Sequence, residues 1–554
     1  MSEETTKKST MNRAKPYQLV LFPFNNGATN VYYILTITYI AYYGNGVLGL
    51  ALMFATTMVT VMRLFDAVTD PIIGALIDKT NGKFGKFRPY MVIGNLIMAV
   101  SAFLLYFGTR LIPDTMMWLR YVMYVIIYAV YVIGYTFQTS CTRSGQTVLT
   151  NDPNQRPLFT IFNLVASMLG MGAIQFLAPI FRAKFGDYTT ADFFDVMIPI
   201  AVIISAILTL LAVIGIWEKD QPKYYGLGAE TQKKVKISEY LAIMKENEPL
   251  RRLMVAGAGC KLALAIATNG TVLCMLYGAM MGNYNALYLP MMIAGYVFSA
   301  PFFALTVRTS QKHGQKASLM RYVALALIMY VGVLALLLFW QPGNAAFNLS
   351  LTHINVYTIL FVVFFGVGYG AYYATADMPI PMVADCSDYE TYRSGKYIPG
   401  VMGTLFSLVD KLVSSLSSTV VGLAVAAIGL STLPGGDTPY VEGMKTIVLI
   451  LFCVIPMVAW ALTLLAMKGY SLTGERMKEI QAVNAVRKEA IAGGMSMEEA
   501  MEKWQTIDQV PAEFRERNRV VTEIESPKRM DCASDFLGLC HQMPMCQQKH
   551  RHCA

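Results

Sequence analysis

Apolar stretches of about 20 residues recur along most of this 554-residue chain, and no other feature restricts its fold so much. Each stretch is long enough to cross the roughly 30 Å hydrocarbon layer of a bilayer as a helix. With 55% hydrophobic and 15% charged residues, the composition excludes a disordered chain and a coiled coil, and soluble chains of this length are rarely so apolar. The sequence therefore predicts an all-α polytopic membrane protein.

Twelve spans can be placed, and the longest loop between them falls near the middle of the chain. The spans are 17–43, 46–76, 90–109, 116–148, 158–180, 194–217, 253–277, 286–307, 320–340, 353–383, 400–430 and 444–467. They form two six-helix halves, 17–217 and 253–467, with a cytoplasmic N-terminus at 1–16, a central cytoplasmic loop at 218–252 and a cytoplasmic tail at 468–554. A weak similarity between 134–152 and 368–388 agrees with repeated halves, although hydrophobic helices also resemble each other by chance. Repeated halves are typical of secondary transporters.

The formal net charge of +9 is explained by where the basic residues lie. Lysines and arginines gather in alternate loops, such as those at 79–88 and 308–316, and the intervening loops hold few. This asymmetry places the basic loops and both termini in the cytoplasm. The charge thus indicates topology rather than nucleic-acid binding. We expect a monomeric, multi-pass protein of the cytoplasmic (plasma) membrane. We expect it to contact the lipid bilayer and to bind no nucleic acid.

The nine cysteines do not form a disulfide framework. Four lie in apolar spans, where a thiol acts as a small hydrophobic group, and Cys386 falls in a predicted cytoplasmic loop. Beyond residue 470 the composition changes to charged, soluble helix, with an amphipathic segment at 497–504. The final stretch, 532–554, concentrates cysteine and histidine, but the spacing matches no common zinc pattern, which favours a disordered tail over a metal site.

Span two carries three charged residues, Arg63, Asp66 and Asp70, whose spacing places them on one helical face. A charge inside the bilayer costs at least ~2.5–3.5 kcal/mol, so such residues face an interior cavity and usually serve transport. Two carboxylates one turn apart repel each other and require a proton, a cation or Arg63. Their hard oxygens suit a small cation such as sodium. The alternative is an Arg63 ion pair that only ties helices together.

Lys411 lies about a third of the way into span eleven, next to Asp410. Because adjacent residues diverge by roughly 100° on a helix, we expect Lys411 to meet Asp66 and Asp70 across the cavity rather than Asp410. The alternative is a lysine near a helix end that reaches to water. Asp377 in span ten is a further intramembrane charge.

Spans one and four carry polar faces suited to a polyhydroxylated ligand. The residues are Asn26, Thr29, Asn30 and Tyr33 in span one, and Thr136, Gln138, Thr139 and Arg143 in span four. Amides and hydroxyls supply donors and acceptors for sugar hydroxyls, and the Tyr33 ring offers an apolar face to a sugar ring. For any single residue, a polar contact between helices is the competing interpretation.

At these residues the chain resembles the glycoside–pentoside–hexuronide:cation symporters, the family of the melibiose permease. The longest match runs from Arg63 to Pro71 and continues to Pro89, and further matches fall at 384–392 and 405–411. The resemblance covers residues 17 to about 480. It implies a major facilitator fold of twelve transmembrane helices that couples sugar uptake to sodium or proton entry, with no cofactor beyond the coupling ion.

The resemblance also implies roles by position. Matching positions are Asp66, Thr69, Asp70 and Thr136 for cation ligands, Lys411 for a coupling lysine near them, and Arg63 for an arginine beside the sugar. Where galactoside-transporting relatives carry acidic ligands, this chain has Thr29 and Thr139, so a galactoside is not expected. Arg143 replaces an aromatic residue, and it either grips an anionic sugar such as a hexuronide or pairs with Asp377.

The sequence thus predicts symport by alternating access, with two further expectations. The substrate residues are Asn26, Thr29, Asn30, Arg63, Gln138, Thr139 and Arg143, and a cytoplasmic gating contact is formed by Asp78, Lys83, Lys86 and Arg88, unless these are solvated loop charges. Rival functions are a carrier of a lysolipid or other amphiphile, and a non-transporting sugar sensor. An enzyme is not expected, because the membrane region holds one histidine, His353, and none of the common catalytic motifs.

Overall fold

A computed structural model describes residues 13–80, 82–150, 155–222, 243–395 and 399–511. Within these residues the chain is helical, and the β-structure is one isolated bridge between Gly82 and Gly85. The chain divides into two compact units, Met1–Val383 with Pro399–Tyr470, and Ala384–Ile398 with Ser471–Ala554. The first unit contains the charged spans that the sequence singled out.

We call residues 16–216 the N-half. Its helices are α1 (Pro16–Leu21), α2 (Phe24–Ile34), α3 (Ile40–Tyr42), α4 (Leu52–Lys79), α5 (Arg88–Tyr106), α6 (Met117–Leu149), α7 (Gln155–Phe185) and α8 (Ala191–Ile216). Helix α2 packs against α7 and α8, and α5 packs against α6. These contacts depend on small residues: a Cβ added at Gly27 of α2 would lie 2.8 Å from the carbonyl oxygen of Ala166 in α7. Close backbone approach of this kind stabilises helix pairs in membranes.

We call residues 248–468 the C-half. Its helices are α9 (Glu248–Ala267), α10 (Gly270–Leu273), α11 (Tyr284–His313), α12 (Gln315–Phe339), α13 (Val356–Thr375), α14 (Pro379–Ser394), α15 (Pro399–Ala427), α16 (Met444–Val448) and α17 (Ile455–Lys468). Helix α9 packs against α15 and α17, and α13 packs against α11 and α12. From residue 384 onward, α14 belongs to the second compact unit.

Ten of the described helices are long and apolar enough to cross a membrane. An eleventh is obtained if α9 and the following segment Gly270–Met280, which meet at a 45° bend, form one span. The span predicted at 17–43 corresponds to α1–α3 and does not enter this count. The all-helical membrane architecture is confirmed, while the number twelve stays a prediction.

Two spans of the C-half are broken near their middle. Helix α9 ends at Ala267, and Asn269 begins α10 by accepting a hydrogen bond from the Thr271 backbone N–H. Helix α13 ends at Thr375, and α14 begins at Pro379, after a turn that contains Asp377. A residue before proline is disfavoured in the helical conformation, which accounts for the second break. Irregular backbone at membrane depth is tolerated where it lines a cavity.

The halves meet mainly where α4 packs against α15. The approach is close, because a Cβ added at Gly422 of α15 would lie 2.3 Å from the Thr56 hydroxyl of α4. One turn further along α4, the Thr60 hydroxyl donates to the Ser415 carbonyl of α15 at 2.9 Å. Since Arg63, Asp66 and Asp70 follow on α4, this packing brings their face towards Lys411.

The second compact unit contains α18 (Gly474–Ala492) and α19 (Met497–Lys503). Helix α19 begins with a capping box, in which Ser496 and Glu499 bond each other's backbone N–H groups. Its Ala500 and the following Trp504 pack against Val483 and Val486 of α18, as the amphipathic pattern at 497–504 predicts. Cys386 lies buried within α14 rather than in a loop, which corrects that expectation. The cysteine- and histidine-rich stretch 532–554 lies outside the described residues.

Candidate functional site

Lys411 joins the two aspartates of α4. Its Nζ lies 2.8 Å from Oδ2 of Asp66 and 2.6 Å from Oδ2 of Asp70. The contact expected from helix geometry is therefore confirmed. We call Asp66, Asp70 and Lys411 the Lys411 trio. Its carboxylates belong to the N-half and its amine to the C-half, so the trio is an ion bridge between the halves.

Asp66 is the buried centre of this site, with 1% of its side chain exposed. Thr136 of α6 donates to its Oδ1 at 2.7 Å, and the hydroxyl of Thr69 lies 3.3 Å from that of Thr136. The four residues that match cation ligands by position are thus gathered around one point. A void of about 10 Å³ beside Asp66 and Arg63 has roughly the volume that one water needs.

Arg63 contributes the second positive charge near Asp66. Its Nη1 lies 3.5 Å from Oδ2 of Asp66, and its guanidinium stacks over the rings of Tyr33 and Tyr135 at 4.6 and 5.2 Å from their centroids. Its Nη2 is buried and makes no hydrogen bond within the described part of the chain. The aromatic rings therefore hold the guanidinium in place while one donor stays available.

Arg143 pairs with Asp70 rather than with Asp377. Its Nη1 lies 3.3 Å from Oδ2 of Asp70, and 56% of its side chain is exposed. Asp70 therefore faces two cations, while its Oδ1 is buried and accepts no hydrogen bond from the described residues. Together Arg63, Arg143 and Lys411 place three positive charges around two carboxylates, so the cluster carries one excess positive charge.

Asp377 instead pairs with Lys261, a residue that the sequence reasoning missed. Lys261 of α9 places its Nζ 2.5 Å from Oδ1 of Asp377 and 3.8 Å from Oδ1 of Asp410. We call these three residues the Lys261 trio, and all three belong to the C-half. The signal was present, because Lys261 interrupts an apolar span and a charge there is expensive.

A cavity of about 310 Å³ opens between the halves beside the Lys261 trio. Its lining includes polar and aromatic residues from both halves, among them Tyr33, Gln175, Asn269, Tyr296, Tyr369 and Tyr373. Both broken spans of the C-half contribute to this wall, through Asn269 and Asp377. Discontinuous helices around a central cavity are typical of substrate sites in secondary transporters.

All seven residues predicted to bind substrate lie outside the lining of this cavity. They are Asn26, Thr29, Asn30, Arg63, Gln138, Thr139 and Arg143. Gln138 is buried and donates to the Met91 carbonyl and to Thr209, while Thr29 donates to the carbonyl of Asn25. In this conformation Gln138 ties helices together and Thr29 bonds within its own helix. The role of all seven residues as substrate ligands stays a prediction.

The loop between α4 and α5 is tied to the end of α8 by Asp220. The buried Asp220 carboxylate accepts hydrogen bonds from the backbone N–H groups of Lys86, Phe87 and Arg88, and the Arg88 side chain lies 3.4 Å away. Lys83 is exposed, and the Asp78 side chain lies outside what the structure describes. The observed contact of this loop therefore involves an aspartate that the sequence reasoning did not select, and a gating role for the loop stays a prediction.

Glu218, two residues before Asp220, forms a neighbouring contact with the start of the described chain. The Lys15 amine lies 2.9 Å from its carboxylate, and this hydrogen bond lowers the pKa of Glu218. Both side chains are largely exposed, so the pair contributes little to stability.

A second ion cluster between the halves surrounds Arg182, in the last turn of α7. This buried guanidinium lies 2.8 Å from Asp187 and 2.6 Å from Asp437, and it donates to the side chain of Asn285 in α11 at 2.6 Å. Asp437 and Asn285 belong to the C-half. Successive long helices run in alternate directions, so the last turn of α7 lies at the end of the bundle opposite the α4–α5 loop. This cluster therefore joins the halves at that opposite end.

Comparison with known proteins gives the same architecture. A family model described as "MFS/sugar transport protein" matches residues 24–474. The inner membrane symporter YicJ of Escherichia coli is 24% identical over 472 residues, which are 83% of this chain and 92% of the relative. The isoprimeverose transporter of Lactiplantibacillus pentosus is 23% identical over 412 residues, 74% of this chain and 79% of the relative. The crystal structure of a D-xylose-proton symporter superposes with a TM-score of 0.55 at 14% identity, covering 82% of this chain and 97% of that structure.

Proposed function

This chain belongs to the MFS/sugar transport protein family, and on that premise we propose that it is a cation-coupled sugar symporter of the cytoplasmic membrane. The transported sugar or glycoside enters together with sodium or a proton, and the protein works by alternating access. One observation carries this proposal, namely the Lys411 amine held between the carboxylates of Asp66 and Asp70.

The Lys411 ammonium lies where a bound cation would bridge the two carboxylates. It therefore acts as a tethered competitor of the coupling ion. The surrounding cluster already has one positive charge in excess, with Arg63 and Arg143 beside the trio. A further cation is favoured at Asp66 and Asp70 only if the ammonium withdraws, because like charges in a buried site repel strongly.

Withdrawal of Lys411 connects ion binding to movement of the halves. Lys411 lies on α15 of the C-half, and both aspartates lie on α4 of the N-half. When a sodium ion or proton replaces the ammonium, the ion bridge between the halves opens. When the cation leaves, the bridge forms again and the empty carrier returns with its carboxylates neutralised.

This arrangement makes cation and sugar mutually dependent. If the conformation without the Lys411 bridge is the one that binds sugar, then the cation raises the affinity for sugar, and sugar raises the affinity for the cation by the same factor. Couplings of this kind are typically about 1–3 kcal/mol, or 5–150-fold in affinity.

The test is uptake into vesicles that contain the purified protein. A panel of labelled glycosides, pentosides and hexuronides is offered with an inward sodium gradient, an inward proton gradient, or neither. We expect one gradient to drive accumulation of at least one sugar, and Asp66→Asn to remove that accumulation. Asp114→Asn is the matched control, because the Asp114 carboxylate is exposed and pairs only with Arg120 in the described chain.

The result that would contradict the proposal is equally specific. If folded wild-type protein accumulates no panel member under either gradient, cation-coupled sugar symport is wrong for this chain. If Asp66→Asn still accumulates sugar under the gradient, the protein is a gradient-driven carrier, but the α4 site does not couple the cation.

A further inference from the structure

The strongest unassigned feature of the molecule is the wall of the cavity around the Lys261 trio. The Asp377 side chain is 60% exposed, and its Oδ1 lies 2.5 Å from the Nζ of Lys261. Its Oδ2 accepts no hydrogen bond from the described residues. This carboxylate is fixed in orientation on one side and available on the other, which is the arrangement that recognition of a ligand requires.

Aromatic rings continue this wall along the same helical face. Tyr369 and Tyr373 lie four residues apart on α13, so they project to one side of that helix. Asp377 follows in the turn after α13, and all three residues line the cavity. The rings of Tyr369 and Tyr373 are stacked with centroids 5.4 Å apart, and Tyr296 meets Tyr373 edge-on at 5.6 Å. A carboxylate beside aromatic faces is a suitable surface for a sugar, which has donor hydroxyls at its edge and apolar C–H groups on its ring faces.

The acidic groups elsewhere in the centre of the protein are already engaged. Asp66 and Asp70 face Lys411, Arg63 and Arg143, and neither lines the cavity. Among the residues that do line it, the carboxylates are those of Asp377 and Asp410. The charged acceptors for the hydroxyls of a ligand in this cavity therefore lie in the C-half.

The charge of the wall selects among sugars. One lysine and two aspartates leave one negative charge, and Oδ1 of Asp410 is buried without a hydrogen bond. A sugar acid would bring its own carboxylate to this negative wall and would be repelled. An uncharged glycoside can donate hydroxyls to Asp377 without that cost.

We infer that Asp377, positioned by Lys261 and flanked by Tyr296, Tyr369 and Tyr373, is the substrate-recognition site of this transporter and selects an uncharged glycoside or pentoside over a hexuronide. The inference rests on the proposed function, since it names the substrate class of that carrier. It also argues against the alternative in which Arg143 binds an anionic sugar.

Equilibrium binding to the purified full-length protein tests this site without requiring a gradient. The probes are the methyl glycosides of glucose, galactose and xylose in both anomeric forms, the methyl uronides of glucose and galactose, and methyl glucosaminide as a cationic sugar. We expect an uncharged member to bind tightest. Asp377→Asn should weaken it about tenfold, since a hydrogen bond to a charged group is lost. Asp377→Asn should also reduce the ratio between the affinity for the uncharged glycoside and the affinity for the matching uronide.

Three comparisons keep the result interpretable. Asp377→Glu retains the charge and should recover part of the affinity, which a folding defect in Asp377→Asn would not explain. Lys261→Gln leaves two carboxylates without their amine and should shift preference towards methyl glucosaminide. Asp114→Asn, the exposed control, should bind as the wild type does.

The inference is overturned if a uronide or the glucosaminide binds tightest to the wild type, if no probe binds, or if Asp377→Asn keeps wild-type affinity. Its failure is separable from failure of the proposed function. Binding that depends on Asp377, without gradient-driven uptake, would contradict symport alone. Gradient-driven uptake with unchanged affinity in Asp377→Asn would contradict the recognition site alone.

Discussion

Lys411 and Lys261 each lie between two aspartates, in the same core of the protein, but the two trios are built from different halves. Lys411 of the C-half holds Asp66 and Asp70 of the N-half. Lys261 holds Asp377 and Asp410, and all three residues belong to the C-half. Under the proposed alternating access, the first trio must change as the halves move, whereas the second can move with its half unchanged.

This difference separates two tasks that similar residues perform. An ion bridge between moving bodies senses which conformation is present, so it is suited to coupling a cation to the transport cycle. An ion pair within one body keeps its geometry through the cycle, so it is suited to holding a recognition group in place. Residue type alone does not distinguish these tasks, and the position of the partners does.

The largest expected effect comes from removing a carboxylate of each trio in turn. Asp70→Asn removes the carboxylate that Lys411 and Arg143 share, and it leaves Asp66 as the remaining carboxylate of the trio for a coupling cation. We expect gradient-driven accumulation to fall by about 100-fold or more, while exchange of sugar across vesicles at equal concentrations continues. Asp377→Asn should do the reverse, raising KM while accumulation at saturating sugar is kept. If both variants lose accumulation with the same change in KM, the two trios do not perform separate tasks.

A smaller effect is expected where the halves meet at Arg182. Arg182→Met removes the bridge to Asp437 and Asn285, so the conformation that is open at that end should become more populated. The buried thiol of Cys274 serves as the reporter, and we expect its alkylation rate to rise about fivefold or more, in line with a coupling of about 1–3 kcal/mol.

The control for this variant uses an ion pair at the same end that stays within one half. Arg110 pairs with Asp195, and both residues belong to the N-half. Arg110→Met should leave the reactivity of Cys274 as in the wild type. Equal acceleration in both variants would show that charge loss, rather than loss of a contact between halves, exposes the thiol.

The smallest effect concerns packing between the halves. Gly422→Ala would place a Cβ 2.3 Å from the hydroxyl of Thr56, a stiff β-branched side chain that donates to the Leu52 carbonyl. Overpacking of this kind costs about 1–3 kcal/mol, so the Tm should fall by a few degrees. Gly74→Ala on α4 is the matched control, because an added Cβ there meets no described atom within 4 Å. Thr56→Ala combined with Gly422→Ala should restore the Tm, and a loss that persists would contradict the steric explanation.

Sequence reasoning succeeded where the governing physics is local. The high cost of a charge in a membrane identifies Arg63, Asp66, Asp70 and Lys411 directly, and helix periodicity places the first three on one face. The direction of Lys411 away from Asp410 also follows from helix geometry alone. The helical membrane architecture followed from the lengths of the apolar stretches.

It failed where the answer depends on which helices become neighbours. The sequence offered two alternative partners for Arg143, an anionic sugar and Asp377. The fold instead brings Arg143 to Asp70, because α6 packs against α4. The Lys261 trio combines three segments far apart in sequence, and no spacing within one helix predicts it. Asp220 was overlooked because a lone carboxylate after a span looks like any loop charge until the backbone N–H groups it binds are known.

The most direct test of the account is the cation dependence of Lys411→Met, a variant of similar shape that lacks the charge. If the ammonium competes with the coupling ion, sugar exchange in vesicles should be activated by about tenfold less sodium, or at a correspondingly higher pH if protons couple. Gradient-driven accumulation should be lost, and Lys411→Arg should restore part of the competition. An unchanged half-saturating cation concentration, together with accumulation at the wild-type level, would contradict the proposal that Lys411 holds the place of the transported ion.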